Sequence, residues 1–165
     1  MRSLASCALL LNLILAPAAL ADKPLPEPAT VSCSFEDEKQ ISVRYVPVST
    51  DKEPPRGQPW APGGTPMILF TQTEVTVANT TIPVGAFSMY VIPGKDSWTL
   101  VINRNVTSGA KYDQQQDVVR TSMEMGQLSQ AEKQLGVYFG RLGARQCNLR
   151  IYHGKTGLWS ELKEK

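Results

Sequence analysis

The sequence predicts an all-β protein: an antiparallel β-sandwich, jelly-roll-like, of seven to nine short strands with at most one short helical turn. Three observations predict it. Apolar and polar residues alternate with a period of two through several short runs, turns rich in Gly and Pro separate those runs, and the 3.6-residue apolar period of a helix is almost absent. The clearest stretch is residues 75–103, VTVANTTIPVGAFSMYVIPGKDSWTLVIN, which reads as three consecutive strands joined by two tight turns.

In chain order, the segment 1–21 reads as a secretory signal peptide. Arg2 is the basic n-region, residues 4–15 the apolar h-region, and Ala19-Leu20-Ala21 the cleavage site, so Asp22 becomes the first mature residue. The apolar run is shorter than the roughly 18–20 residues that span a bilayer, so no transmembrane segment is expected in the mature chain. Cys7 lies inside the h-region rather than after it, unlike a lipoprotein cysteine. Residues 22–29, DKPLPEPA, form a Pro-rich linker, and residues 30–165 a single β-sandwich domain.

Within that domain, residues 30–35 form a short strand carrying Cys33. Residues 40–48 alternate Ile41, Val43, Tyr45 against Ser42, Arg44, as a half-buried strand does. Residues 49–66, STDKEPPRGQPWAPGGTP, are loop, because five prolines and three glycines leave no room for a regular element. Strands follow at 67–71 and 74–78, a turn at 79–83, and a strand at 86–92 alternating Phe87, Met89, Val91 with Ser88, Tyr90. After the turn at 93–96, Trp98, Leu100 and Ile102 share the core face of the next strand. Residues 104–116 are polar and irregular, and strand character resumes at 117–125. Ser129-Gln130-Ala131-Glu132 fits a capping box, giving one helical turn at most. Residues 147–153 and 158–162 read as two final strands around a turn at 154–157.

Two cysteines remain after signal removal, Cys33 and Cys147, and in an exported chain an even count reads as a disulfide. It would bind the first strand to the penultimate one, so these must be neighbours or face each other across the core. Two free thiols, or pairing with a partner, are the alternatives. Of 17 Lys and Arg against 15 Asp and Glu, only Arg2 leaves with the signal, giving a near-neutral mature chain. That balance excludes a general nucleic-acid binder, which needs a clustered positive surface.

The ordered motifs Trp60 with Gly63-Gly64, Pro83-x-Gly85-x-Phe87 with Pro93, Trp98 with Asn103, Asp117-x-x-Arg120, and the segment 149–156 ending His153-Gly154-Lys155-Thr156 resemble the DUF2911 family of secreted bacterial proteins of unknown function. The resemblance covers about residues 41–162 and implies export and a β-rich fold, with no activity or ligand attached. Where many members carry Trp-Arg-Thr-Gly-Ala-Asn, this chain has Trp60-Ala61-Pro62-Gly63-Gly64-Thr65, so any role of that Arg and Asn is absent or changed here. His153 falls near a position that is often aromatic in the family.

No catalytic set stands out. His153 is the sole histidine, so any histidine base must be it, and no Gly-x-Ser-x-Gly is present; the plain reading is a partly exposed residue at a strand end. One His and two paired Cys make no zinc site, and Asp113 with Asp117 lacks the spacing of a calcium loop, so no metal and no cofactor is expected. Gly154-Lys155-Thr156 lacks the upstream Gly of a phosphate loop. Asp117 and Arg120, three apart on a regular strand, point to opposite faces and need not pair. The aromatics Trp60, Tyr90, Trp98, Tyr112, Tyr138 and Tyr152 either line a stacking groove or pack the core; Trp98 is in phase with the core.

The reading that follows is an exported, periplasmic or secreted, non-catalytic binding or envelope-associated module. Its partner would be a small ligand, a glycan or an envelope protein, with Trp60, Gly63, Gly64, Tyr112, Arg120 and His153 as candidate ligand-binding residues and the Trp60 loop as contact surface. The alternatives are a hydrolase using His153 with a loop carboxylate, and a structural protein that oligomerises.

Overall fold

Ten antiparallel strands form two sheets in the computed structural model, which describes residues 24–165. The segment expected to be a signal peptide, and the start of the expected linker, lie outside the described residues. The strands are β1 (Ala29–Ser34), β2 (Gln40–Tyr45), β3 (Met67–Thr71), β4 (Val75–Val77), β5 (Thr80–Ile82), β6 (Gly85–Pro93), β7 (Trp98–Asn103), β8 (Asp117–Ser122), β9 (Glu124–Gly143) and β10 (Gln146–Glu164). One sheet has the order β1-β2-β3-β6-β7-β8 and the other β5-β4-β10-β9. Most sheet neighbours are consecutive in sequence; β4 and β5 leave the meander to join the second sheet.

The period-two residues form the core between the sheets. Ile41 and Val43 of β2, Leu69 of β3, Met89 and Val91 of β6, and Leu100 and Ile102 of β7 have no exposed surface, and they meet Val137 and Ile151 of the second sheet. Each such side chain contributes roughly 1.5–3 kcal/mol of burial. Trp98 belongs to this cluster. The Cys33–Cys147 disulfide joins β1 to β10, one strand from each sheet.

The outer face of β6 is also covered. Tyr90, Ile92 and Val101 form a second small cluster with Ala61 and Tyr112. The segment between β7 and β8 folds over this face and is pinned there: Ser88 Oγ donates to the Asn105 carbonyl (2.6 Å) and Asn103 Nδ2 to the Asp113 carbonyl (2.8 Å). Both faces of β6 are therefore buried, although its sequence alternates as if one face were wet.

Two sequence expectations are corrected here. The capping-box segment is not helical: residues 129–132 lie within β9. A single turn of helix costs more to nucleate than it returns, and a hairpin partner offers pairing at once. The two short 3-10 turns, Pro62–Gly64 and Gln114–Gln116, lie elsewhere. The expected turn at 154–157 is a bend inside one continuous strand. Gly154 takes φ +56°, and while β10 runs from Tyr152 to Thr156, β9 runs from Gly136 to Gln127. The surplus residues of β9 bulge outward and the hairpin bends without breaking, as bulges allow.

That bulge is used by the long loop after β2. Leu135 N donates to the Val48 carbonyl (2.8 Å) and Thr50 N to the Lys133 carbonyl (3.1 Å). The same loop then reaches the first sheet, where Gly57 N bonds the Pro93 carbonyl and Trp60 N the Val91 carbonyl, both at 2.8 Å. It occupies the edge of β6 that β3, starting only at Met67, leaves open.

Candidate functional site

Three places carry candidate side chains. The first lies under the long loop. His153 is 3 % exposed, buried at the bend of β10 rather than partly exposed at a strand end. Trp60 stands edge-on to its ring at 5.3 Å, and Trp98 lies 6.4 Å away. Its Nε2 has no hydrogen-bond partner among the described residues. Burial pulls the imidazole pKa below its ordinary value; Glu53 and the backbone at His153 and Lys52 pull the other way. Gly63 and Gly64 adopt φ +70° and +81° in the 3-10 turn beside Trp60, and a Cβ on Gly63 would lie 3.3 Å from Val48. Their glycine identity is explained by backbone and packing.

The sign of the pH effect follows. A histidine that is harder to protonate when folded leaves the unfolded state binding more protons. Its contribution is fully present above the unfolded pKa of about 6.5 and is lost as pH falls toward the lower folded value. We expect the unfolding free energy to drop between about pH 7.5 and about pH 5.5, and to drop less in His153→Phe, measured by urea titration at both pH values. An equal drop in the variant would remove His153 as the cause.

The second place is the network over the outer face of β6 and β7. Asp117 Oδ1 accepts from Asn103 Nδ2 (2.8 Å), and Oδ2 accepts from the Tyr112 hydroxyl (2.6 Å) and from Arg120 Nη1 (3.3 Å). Arg120 also donates to the Tyr112 oxygen (2.9 Å), and the Tyr90 and Tyr112 rings meet edge-on at 5.2 Å. Asp117 and Arg120 thus pair, against the expectation of opposite faces. The cause is a register shift: Ile102 faces Val119 but Asn103 faces Asp117, so Val118 is an extra residue and the alternation slips. Burial first, then Asp117, push the Tyr112 phenol up to about 12. Asp113 stands nearby as the cap of the Gln114–Gln116 turn, accepting from Gln115 N (3.0 Å) and Gln116 Nε2 (2.9 Å).

This arrangement is internally satisfied. In Asp117→Asn one amide hydrogen must face a donor, so we expect a loss of about 1–3 kcal/mol. The Tyr112 titration should move down from about 12 while keeping the part due to burial. Denaturant unfolding and phenolate absorbance check the two halves.

The third place was not foreseen as a site. The two ends of β10 converge: Glu164 N donates to the Arg145 carbonyl (2.8 Å), and Gln146 Nε2 to Glu161 Oε2 (2.7 Å). Beside them opens a groove of about 720 Å³, lined among others by Asn148, Trp159, Glu161, Thr76 and Thr121. The Trp159 ring rests on a glycine pair, for a Cβ on Gly126 or Gly157 would come within 2.9 or 2.7 Å of it. Tyr152 lies 6.3 Å from Trp159, and Tyr138, 42 % exposed, 5.1 Å from Tyr152.

The sequence-predicted candidates therefore separate. Trp60 of the loop meets His153 beneath it, Gly63 and Gly64 shape the turn that follows Trp60, and Tyr112 and Arg120 gather outside the first sheet. Neither group lines the groove. Trp159 was missed because it sits in an otherwise ordinary strand. The signal was the repeated spacing Gly136-x-Tyr138 and Gly157-x-Trp159, in which a ring covers a glycine on the same face. Among the described residues, no three His, Cys, Asp or Glu side chains come together as a metal site, and no helix is long and apolar enough to cross a membrane.

A family model described as a protein of unknown function, DUF2911, matches residues 28–159. The chain belongs to the DUF2911 family. No curated protein and no solved structure matches it. The match spans β1 to Trp159, so it reaches all three places described above. In this DUF2911 chain the motif residues Asn103, Asp117 and Arg120, far apart in sequence, meet in one hydrogen-bonded network. Trp60 and Trp98 meet around His153.

Proposed function

We propose that this DUF2911 protein is an exported, non-catalytic binding module, acting in the periplasm or outside the cell after cleavage behind Ala21. The observation that carries the binding reading is the groove beside Trp159, open, rimmed by polar side chains and backed by an aromatic ring. Export rests on the leader-like segment 1–21 and on the disulfide, a bond that persists in oxidising compartments. The hydrolase alternative would need His153, which Glu53 of the same loop already influences, to reach a substrate from its buried place beside Trp60. The loop carboxylates Asp113 and Asp117 are occupied in and beside the Tyr112 network.

A thermal-shift panel of glycans, peptides, lipids and metal salts tests the binding reading. At least one class should raise the midpoint, and no shift from any class would overturn it. N-terminal sequencing of the exported product should begin at Asp22; retention of the segment 1–21 would overturn the export reading.

A further inference from the structure

We infer that the groove beside Trp159 is a glycan site that takes a neutral oligosaccharide, a reading that rests on the binding function above. Three observations in and beside the groove point the same way. Its charges balance, with Arg145, Lys163 and Lys165 against Glu124, Glu161 and Glu164, so no net field selects an anion or a cation. Asn148 is 8 % exposed and lines the groove. Its Oδ1 accepts from Arg150 Nε (3.0 Å), while its amide NH2 has no acceptor among the described residues. That bond fixes the amide, and a donor held in the wall of a groove is satisfied by a hydroxyl oxygen brought to it.

The third observation is the aromatic row. Trp159 is held by its glycine seat and is half-buried in the groove wall. Tyr152 and Tyr138, outside the groove lining, continue from it at ring spacings of 6.3 and 5.1 Å, of the order of one sugar ring. Each aromatic ring offers a flat apolar face, and Tyr adds a hydroxyl at its rim. A pyranose needs this pairing: its C–H face lies on a ring while its hydroxyls find amides and carboxylates at the edge. The Gln146–Glu161 pair supplies one amide and one carboxylate to the same groove. The groove volume falls in the range of small-molecule sites.

The test is titration calorimetry of the full protein with hexasaccharides of glucose (α- and β-linked) and of N-acetylglucosamine, alongside an acidic and a basic peptide. At least one neutral hexasaccharide should bind. Trp159→Ala and Asn148→Ala should each weaken it by at least tenfold, while Trp159→Phe, which keeps a ring over the glycine seat, retains most of the affinity. Thermal midpoints of the variants report whether each is folded, and should Trp159→Ala unfold, Asn148→Ala decides alone. Binding that survives both alanine variants would overturn the site. Binding of a peptide but no hexasaccharide would overturn the glycan class and leave the binding reading standing. No binding by any probe, here or in the thermal-shift panel, would overturn both.

Discussion

Reducing the Cys33–Cys147 bridge is expected to cost about 5 kcal/mol of stability, the largest single effect in this protein. The bridge spans a sequence separation of 114. In the chain-entropy account, closing a loop of that length removes about that much from the unfolded ensemble. Natural domains of this size hold roughly 5–15 kcal/mol in all, so the reduced protein should lie close to its stability limit at physiological temperature. The position of the bridge adds to this. The turn after β1 already meets the β9–β10 turn, where Glu36 N donates to the Ala144 carbonyl (2.9 Å). The disulfide therefore holds the two sheets together at one corner. Urea unfolding of the oxidised protein and of a Cys33→Ser, Cys147→Ser double variant measures the difference. A loss below about 1 kcal/mol would show that the unfolded chain is already compact enough for the crosslink to change little.

Trp98→Ala should be the costliest single substitution in the core, at about 3–5 kcal/mol. The ring is 6 % exposed and packs with the main cluster between the sheets. It also stands against His153, whose other neighbour is Trp60 on the stitched loop. Removing it leaves a large void beside an imidazole whose Nε2 lacks a partner among the described residues. Water can enter such a void because one of its walls is polar. The variant should therefore also lose part of the His153 pH dependence, since a hydrated imidazole titrates nearer its ordinary value. A destabilisation under about 2 kcal/mol, below the usual cost of removing so large a ring, would mean with an intact pH dependence that the loop collapses to fill the space.

What the sequence revealed follows the physics of each element. The strands at Met67–Thr71, Gly85–Pro93 and Trp98–Asn103 were readable because a half-buried strand writes its burial as a period of two. Pairing of Cys33 with Cys147 was readable because setting aside the leader-like segment left only those two thiols. The β9–β10 hairpin was not readable as such. Its burial pattern changes phase at His153-Gly154, and a bulge leaves no mark in composition. The same blindness hid the Asp117–Arg120 pair, whose shared side depends on the one extra residue Val118. The burial of His153 depends on a loop from much earlier in the chain, fastened by hydrogen bonds to β9 and β6. That is a tertiary fact which no local pattern around His153 carries.

The far end of β10 has a consequence for the order in which the layers can assemble. β4 pairs with β5 on one side and, on the other, with Lys163 and Glu164, and Lys165 N closes onto the Glu74 carbonyl at 3.0 Å. A nascent chain can zip the neighbouring strands of the first sheet as they emerge, but β4 must wait for Lys163 and Glu164 before it has a strand partner other than β5. Pairing across so long a stretch of chain is slow, because the entropy of closing the loop is lost before any contact returns it. Until that clasp forms, the β4–β5 hairpin lacks a strand neighbour in its own sheet.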